Sequence, residues 1–284
     1  LYLFCIDPSR CLNACLKQGV AGIFFSATMI PVMYYKRLLS GNTEDFAIYA
    51  NSPFDSRKRQ ILIAKDVSSR YTRRNRAEFG KVADYITKLA HSHTGNYMVF
   101  FPSYNYMEAV KRILDEHYDG TFRWQMQTNH MTEEEREGFL EQFEGKKQES
   151  FVGLCVLGGI FSEGIDLKAE RLEGTIIVGT GLPMVCSEQE ILMQYFDDHG
   201  KNGYDYAYQY PGMNKVLQAA GRVIRTAEDR GVILLLDDRF LRREIQELFP
   251  REWTEYGLVT RETVDGWLRN FWEKVKKGDA TASP

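Results

Sequence analysis

Tyr97-Met98-Val99-Phe100-Phe101-Pro102-Ser103-Tyr104 is an unbroken apolar run that empties into a proline–serine turn. A run so short and so apolar suits a strand covered on both faces, as in a parallel sheet. Ser103 is then placed to cap a helix over 104–117, in which Met107, Val110 and Leu114 form one apolar stripe. The same alternation extends outward in both directions. Candidate strands are 22–26, 60–64, 97–101, 123–127, 151–157, 175–179 and 231–236, and helical patterns cover 77–91, 132–143, 213–226 and 263–276. Helix 132–143 opens with a Thr132/Glu135 capping-box pair. The expected fold is therefore α/β, with a mostly parallel sheet flanked by helices.

Residues 1–42 read as a separate piece, with strand 22–26, the sequence Ser26-Ala27-Thr28 at its end, and a short helix over 31–39. The turn Ser40-Gly41-Asn42 sets it off from 43–277, which is long enough to build a complete domain, and 278–284 reads as a disordered tail. A formal charge of -3 excludes a wholesale polycation but leaves room for local basic surfaces. No apolar run approaches the ~18 residues of a membrane span. The chain starts at Leu1 without a signal-peptide pattern, which suggests a fragment of something longer. Its five cysteines, Cys5, Cys11, Cys15, Cys155 and Cys186, contain no CxxC pair, so they read as buried free thiols in a reducing compartment and no metal is assigned.

Four stretches carry chemistry. Ser26 and Thr28 end a strand and, alone, read as helix caps. Ser103 and Tyr104 start a helix, where a cap and a phosphate site are equally natural. The third stretch, from Leu157 to Leu167, follows an apolar strand. Its glycines permit close backbone approach, and Glu163 and Asp166 beside Gly164 are acceptors for ribose hydroxyls, arginines or a metal-bound water. The fourth is Gln218-Ala219-Ala220-Gly221-Arg222-Val223-Ile224-Arg225, which on a continuous helix puts Gln218, Arg222 and Arg225 on one face. Two neighbouring guanidiniums match the oxygens of a phosphate. Between 57 and 76, Arg57, Lys58, Arg59, Lys65, Arg70, Arg73, Arg74 and Arg76 face only Asp66 as an acid, with Tyr71 interleaved, which suits single-strand backbone contacts. Tyr204, Tyr206, Tyr208 and Tyr210 alternate as in a half-buried edge strand, and base stacking is the other reading.

In this order the four stretches resemble the second motor domain of the XPD/DinG family of superfamily-two DNA helicases. Ser26-Ala27-Thr28 is similar to the family's third helicase motif, Phe100 to Tyr104 to the fourth, Gly159 to Asp166 to the fifth and Gln218 to Arg225 to the sixth. The segments Leu236-Asp237-Asp238-Arg239-Phe240 and Leu248-Phe249-Pro250-Arg251-Glu252-Trp253 are similar to the family's downstream sequence, so the resemblance spans about residues 20 to 255. It implies a RecA-like domain, with 1–42 as the tail of the first motor domain and 43–277 as the second. It also implies that Arg222 and Arg225 reach the γ-phosphate of ATP held on the other motor domain, with Gln218 positioning water or phosphate. Glu163, Gly164 and Asp166 would serve the nucleotide, Ser26 and Thr28 would couple phosphate state to DNA, and Ser103, Tyr104, Arg70, Arg73 and Arg74 would hold the strand. The implied cofactors are ATP and Mg²⁺, bound mainly by the first motor domain. An iron–sulfur cluster would belong to a part outside this chain. The implied partners are single-stranded DNA or DNA junctions and the rest of the same polypeptide. The implied setting is DNA repair in the cytoplasm, at the nucleoid if bacterial, with no membrane.

The chain contains no GxxxxGK[ST] loop, and Asp115-Glu116-His117 sits inside an amphipathic helix, so it reads as solvated helix surface rather than as a nucleotide-binding box. A helicase-like module that only binds nucleic acid or a partner is the alternative function. Without a phosphate-cradling loop, arginines have no substrate to act on. The chain alone should therefore hydrolyse no ATP, and DNA-stimulated turnover by the purified 284-residue protein would refute this.

Overall fold

A computed structural model describes residues 3–117, 120–145, 148–161 and 172–282. Its centre is a single sheet of seven strands: β1 (Arg59–Ala64), β2 (Asn96–Phe101), β3 (Phe122–Met126), β4 (Ser150–Val156), β5 (Leu172–Val178), β6 (Gly231–Leu236) and β7 (Gly257–Val259). The order is β3-β4-β2-β5-β6-β1-β7, and every pairing is parallel. The helices are α1 (Ser9–Leu16), α2 (Val32–Leu39), α3 (Arg76–Ser92), α4 (Tyr104–His117), α5 (Glu133–Glu141), α6 (Ser187–Asp198), α7 (Tyr210–Ala220), α8 (Arg243–Gln246) and α9 (Val264–Ala282).

Successive strand residues point to opposite faces, so the apolar runs divide into two half-cores. Leu62, Val99, Leu154, Ile176 and Leu234 face α3, α4 and α9. Ile61, Phe100, Cys155, Ile177 and Leu235 face α5, α7 and α8. The capping box at Thr132 and Glu135 is formed, and Ser103 Oγ accepts from the Tyr106 amide at 3.3 Å at the start of α4. Asp115 pairs with Lys111, Glu116 with Arg76, and His117 Nδ1 lies 2.9 Å from the Ile113 carbonyl, so this tripeptide is helix surface as read.

Several expectations are corrected. Residues 22–26 form no strand: they run alongside no other strand, and Ile23 and Phe25 are exposed. The seventh strand is instead β7, whose three residues are too short for an alternating pattern to register. The 204–210 stretch is not an edge strand. Asp205–Gln209 forms a π-helical turn that runs into α7. Tyrosines at every second position also fall four apart, and on a helix this stacks Tyr204 on Tyr208 at 5.5 Å and sets Tyr206 by Tyr210 at 5.6 Å. Helix α6 carried no recognised pattern. Helix α9 continues to Ala282, past the expected end at 276 and into the tail read as disordered. All five cysteines are free, but Cys5 is exposed ahead of α1, and Cys11 and Cys15 are exposed because α1 buries none of its residues.

Helix α7 is seated by a glycine crossing. A side chain at Gly181, whose φ is 70°, would meet the Gly212 carbonyl at 2.3 Å, and a Cβ at Gly212 would meet the Thr180 carbonyl at 2.7 Å. Backbone therefore lies on backbone where the β5 exit crosses the first turn of α7. Gly212→Ala should lower stability by ~1–3 kcal/mol through overpacking, despite the better helix propensity of alanine. Urea unfolding reads this as a lower midpoint at unchanged slope, and an unchanged midpoint would show that the crossing parts freely.

Candidate functional site

The loops after β1 and β6 meet over a buried charge. The Asp237 side chain is fully buried one residue past β6. Its carboxylate accepts from the Ser69 amide at 2.9 Å and the Ser69 hydroxyl at 2.6 Å. It also accepts from Arg239 Nε at 2.8 Å and Nη2 at 3.0 Å, while the same Nη2 reaches Ser69 Oγ at 2.9 Å. Burial works against ionisation of Asp237, but the Arg239 hydrogen bonds and charge and the Ser69 hydroxyl outweigh it and hold the carboxyl below its usual range. Gly179, at φ 83° on the β5 exit, leaves room for this node, since a Cβ there would lie 2.5 Å from Ser69 Oγ.

This node fixes the basic segment read as a strand-binding surface. Arg70 pairs with Asp238 at 3.2 Å, and Arg73 pairs with Glu78 at 3.1 Å. Glu78 is buried, also accepts from the Ser68 amide at 3.0 Å, and is held below the usual carboxylate range: burial opposes this, while Lys81, Ser68 and Arg73 drive it. Arg74 donates to the Ser69 carbonyl at 3.2 Å and lies over the Tyr71 and Tyr106 rings. The structure thus gathers Arg70, Arg73 and Arg74 beside the exposed Tyr71 ring, yet gives the first two carboxylate partners that lie far from them in sequence or across a turn. The Arg70–Asp238 pair faces solvent, where such pairs contribute about 0–1 kcal/mol, whereas the Glu78 partner of Arg73 is buried.

Ser103 and Tyr104 lie past the end of β2. The Tyr104 hydroxyl accepts from Gln127 Nε2 at 2.7 Å, and Gln127 Oε1 accepts from the Val156 amide at 3.0 Å. Buried Gln127 therefore ties the β2, β3 and β4 exits together, a role that an apolar-to-polar step at the end of a strand signals only weakly in sequence. Glu163, Gly164 and Asp166 lie outside the described residues.

The arginine motif does not form one helical face. Helix α7 ends at Ala220, with Gly221 as its C-cap. The amides of Arg225 and Thr226 donate to Asp229 Oδ2 at 2.9 and 2.7 Å, so this carboxylate draws the chain into a turn before another helical turn can form. Val223 then packs on Gly231, the first residue of β6. Arg222 is buried at 7% exposure, close enough to Cys155 for its charge to offset part of the burial that pushes that thiol up. The Arg225 side chain is exposed and makes no hydrogen bond or ion pair among the described residues, and Gln218 keeps a buried Oε1 with no partner. The motif thus divides into one buried and one projecting arginine. Ser26 and Thr28 form a local turn, with their hydroxyls 3.3 Å apart and the Thr28 amide donating to Ser26 Oγ at 3.2 Å. Ile30 just beyond packs on the half-core that holds α7. The described residues hold no group of three or more His, Cys, Asp or Glu placed to bind a metal, and no described helix is long and apolar enough to cross a membrane.

Comparison with known proteins agrees with this architecture. The helicase C-terminal domain family matches residues 86–256. A probable ATP-dependent helicase of Methanocaldococcus jannaschii is 27% identical over 265 residues, 90% of this chain and 38% of that protein. The XPD/RAD3 helicase subunit of the general transcription and DNA repair factor IIH of Saccharomyces cerevisiae is 26% identical over 271 residues, 89% of this chain and 34% of that protein. A solved XPD helicase structure superposes with a TM-score of 0.66 at 22% identity, covering 90% of this chain and 45% of that one. The fold is thus RecA-like, and the chain spans roughly a third of the length of these curated relatives.

Removing the Asp237 charge leaves the half-buried Arg239 without this counter-ion. Asp237→Asn should cost about 3–5 kcal/mol at neutral pH. Because the folded carboxyl titrates below its unfolded value of ~3.9, the stabilisation is complete above that pH and is lost as pH falls through the lower, folded value. The gap between wild type and variant in urea midpoints should therefore stay constant down to pH ~4 and close only below it. A gap that closes between pH 7 and 5 would contradict the assignment.

Proposed function

The chain belongs to the helicase C-terminal domain family, and from that premise we propose that it is the second motor domain of an ATP-dependent DNA helicase of the XPD/DinG type, preceded by the tail of the first. The observation that carries the reading is the turn after α7. An exposed arginine, Arg225, with no partner among the described residues stands next to a helix that keeps a buried Gln218 oxygen likewise unpartnered among them. A buried polar atom without a partner, such as the Gln218 oxygen, is costly unless something outside the chain completes it, while the exposed Arg225 is solvated and free to engage an anion.

ATP with Mg²⁺, held mainly by the first motor domain, supplies the phosphoryl group whose transfer drives the cycle. Arg225 reaches across to neutralise charge on the transferring phosphate, and Arg222, fixed beneath the turn, holds the turn in position and adds its own positive field. Gln218 orients water or phosphate with its free carbonyl. Glu163, Gly164 and Asp166 serve the nucleotide, and the Ser26–Thr28 turn couples the state of the phosphate to the strand-binding side. Ser103, Tyr104, Arg70, Arg73 and Arg74 grip the backbone of single-stranded DNA, Arg70 by exchanging its solvent-facing Asp238 partner for a phosphate.

The test uses a longer protein that carries this segment together with a phosphate-loop motor domain. Arg225→Ala should lower DNA-stimulated ATP hydrolysis by about 10³-fold or more while ATP affinity stays within about tenfold. Hydrolysis that survives the substitution would favour the reading of this domain as a non-catalytic nucleic-acid or partner-binding module.

A further inference from the structure

A cleft of about 340 Å³ opens between α2 and the segment that leads into α7. Its chemistry falls into two halves. One wall is aromatic: the Tyr34 ring sits edge-on to Tyr206 at 5.1 Å and to Tyr210 at 5.2 Å, and all three rings line the space. The other half is cationic. Arg37 spends one donor on the Tyr206 hydroxyl at 3.0 Å, and neither Arg37 nor Lys201 pairs with a carboxylate among the described residues. Asp205 also lines the cleft, and its only described side-chain contact is a long one, 3.5 Å from the Tyr210 hydroxyl. Burial, with a smaller contribution from the charge of Glu244, raises its carboxyl above the ordinary range.

Two cations without counter-ions facing one cleft call for an anion of matching charge, and a phosphate meets both the fork of a guanidinium and the point charge of an ammonium. A tyrosine wall beside them calls for a flat ring, because stacking on aromatic side chains accepts any base. A carboxylate at the edge can accept from an exocyclic amine or, when protonated, donate to a ring nitrogen. The volume lies at the lower end of small-molecule sites, which span about 300–1,000 Å³. We infer that this cleft binds a nucleoside monophosphate unit, with its base against Tyr34, Tyr206 and Tyr210 and its phosphate on Arg37 and Lys201. The unit can come from a nucleic-acid strand or from a free nucleotide. Only the strand-borne form rests on the helicase reading, since a free nucleotide needs no helicase.

The experiment uses the full chain and two probes, fluorescein-labelled oligo-dT followed by anisotropy over a salt series, and AMP followed by calorimetry. Arg37→Gln with Lys201→Gln removes the cations and leaves the tyrosine packing in place, and Tyr34→Leu separately tests the stacking wall. If the unit is part of a strand, the double variant should flatten the slope of log affinity against log salt by about 1–1.5, and Tyr34→Leu should weaken oligo-dT binding about tenfold at unchanged slope. If the unit is free, AMP should bind the wild type and lose at least about tenfold in the double variant, whatever oligo-dT does. Oligo-dT binding that is indifferent to both variants, with no AMP binding, overturns the cleft and leaves the helicase reading intact. A wild type that binds neither probe overturns the cleft together with the strand-binding part of that reading, whereas AMP binding with no oligo-dT binding overturns only the latter.

Discussion

Burial of a parallel sheet on both faces is the constraint on which the rest of this protein depends. A parallel ladder needs crossover segments between its strands, and those crossovers must cover the sheet. Leu62 and Ile61 are neighbours in sequence but belong to different half-cores, one under α3, α4 and α9 and the other under α5, α7 and α8. Neither face is left open for a ligand. Chemistry is pushed to the loops where strands end, to the turn that follows α7, and to the seam where the N-terminal helices meet the sheet domain.

The polar contacts at those ends have graded strengths. Asp237 is sealed, hydrogen-bonded on both oxygens and paired to Arg239, so the loops after β1 and β6 are held as one rigid piece. Gln127 plays a parallel part for the exits of β2, β3 and β4. Around these fixed points lie weaker, solvent-facing contacts such as Arg70 with Asp238. Beside the sheet, Arg37 bonds Tyr206 and Asn214 bonds Tyr35 at 2.7 Å, so α2 is gripped by the same helical stretch that leads to the arginine turn. A displacement of α2 would therefore be felt along α7.

The arginine motif shows where local pattern and tertiary structure part. Helical spacing alone puts Gln218, Arg222 and Arg225 together, and nothing in Ala219-Ala220 forbids the helix from continuing. Asp229 breaks that spacing by capping the amides of Arg225 and Thr226, and Gly231 leaves a hollow for Val223 that draws the turn inward. Both are contacts with residues a few positions downstream. The first is a side chain bonding backbone amides and the second a hollow left by a missing side chain, and neither shows in a pattern of apolar periodicity.

What the sequence by itself determined is the set of elements whose signal is local. The apolar runs of β1, β2, β4, β5 and β6, the capping box of α5 and the stripe of α4 all come from period, caps and apolar run length within one segment. The ordered helicase-like stretches likewise named the family without any contact map. Only the tertiary structure decided which polar groups share a site, because Ser69 and Asp237, or Arg37 and Tyr206, stand more than a hundred residues apart and carry no common period. It also decided the state of the 204–210 tyrosines, since a two-residue alternation fits a strand and a helical i,i+4 stack equally well until a neighbour such as Tyr34 is present to choose. Residues 22–26 show the converse: a strand pattern remains only a pattern until another strand lies beside it to bond.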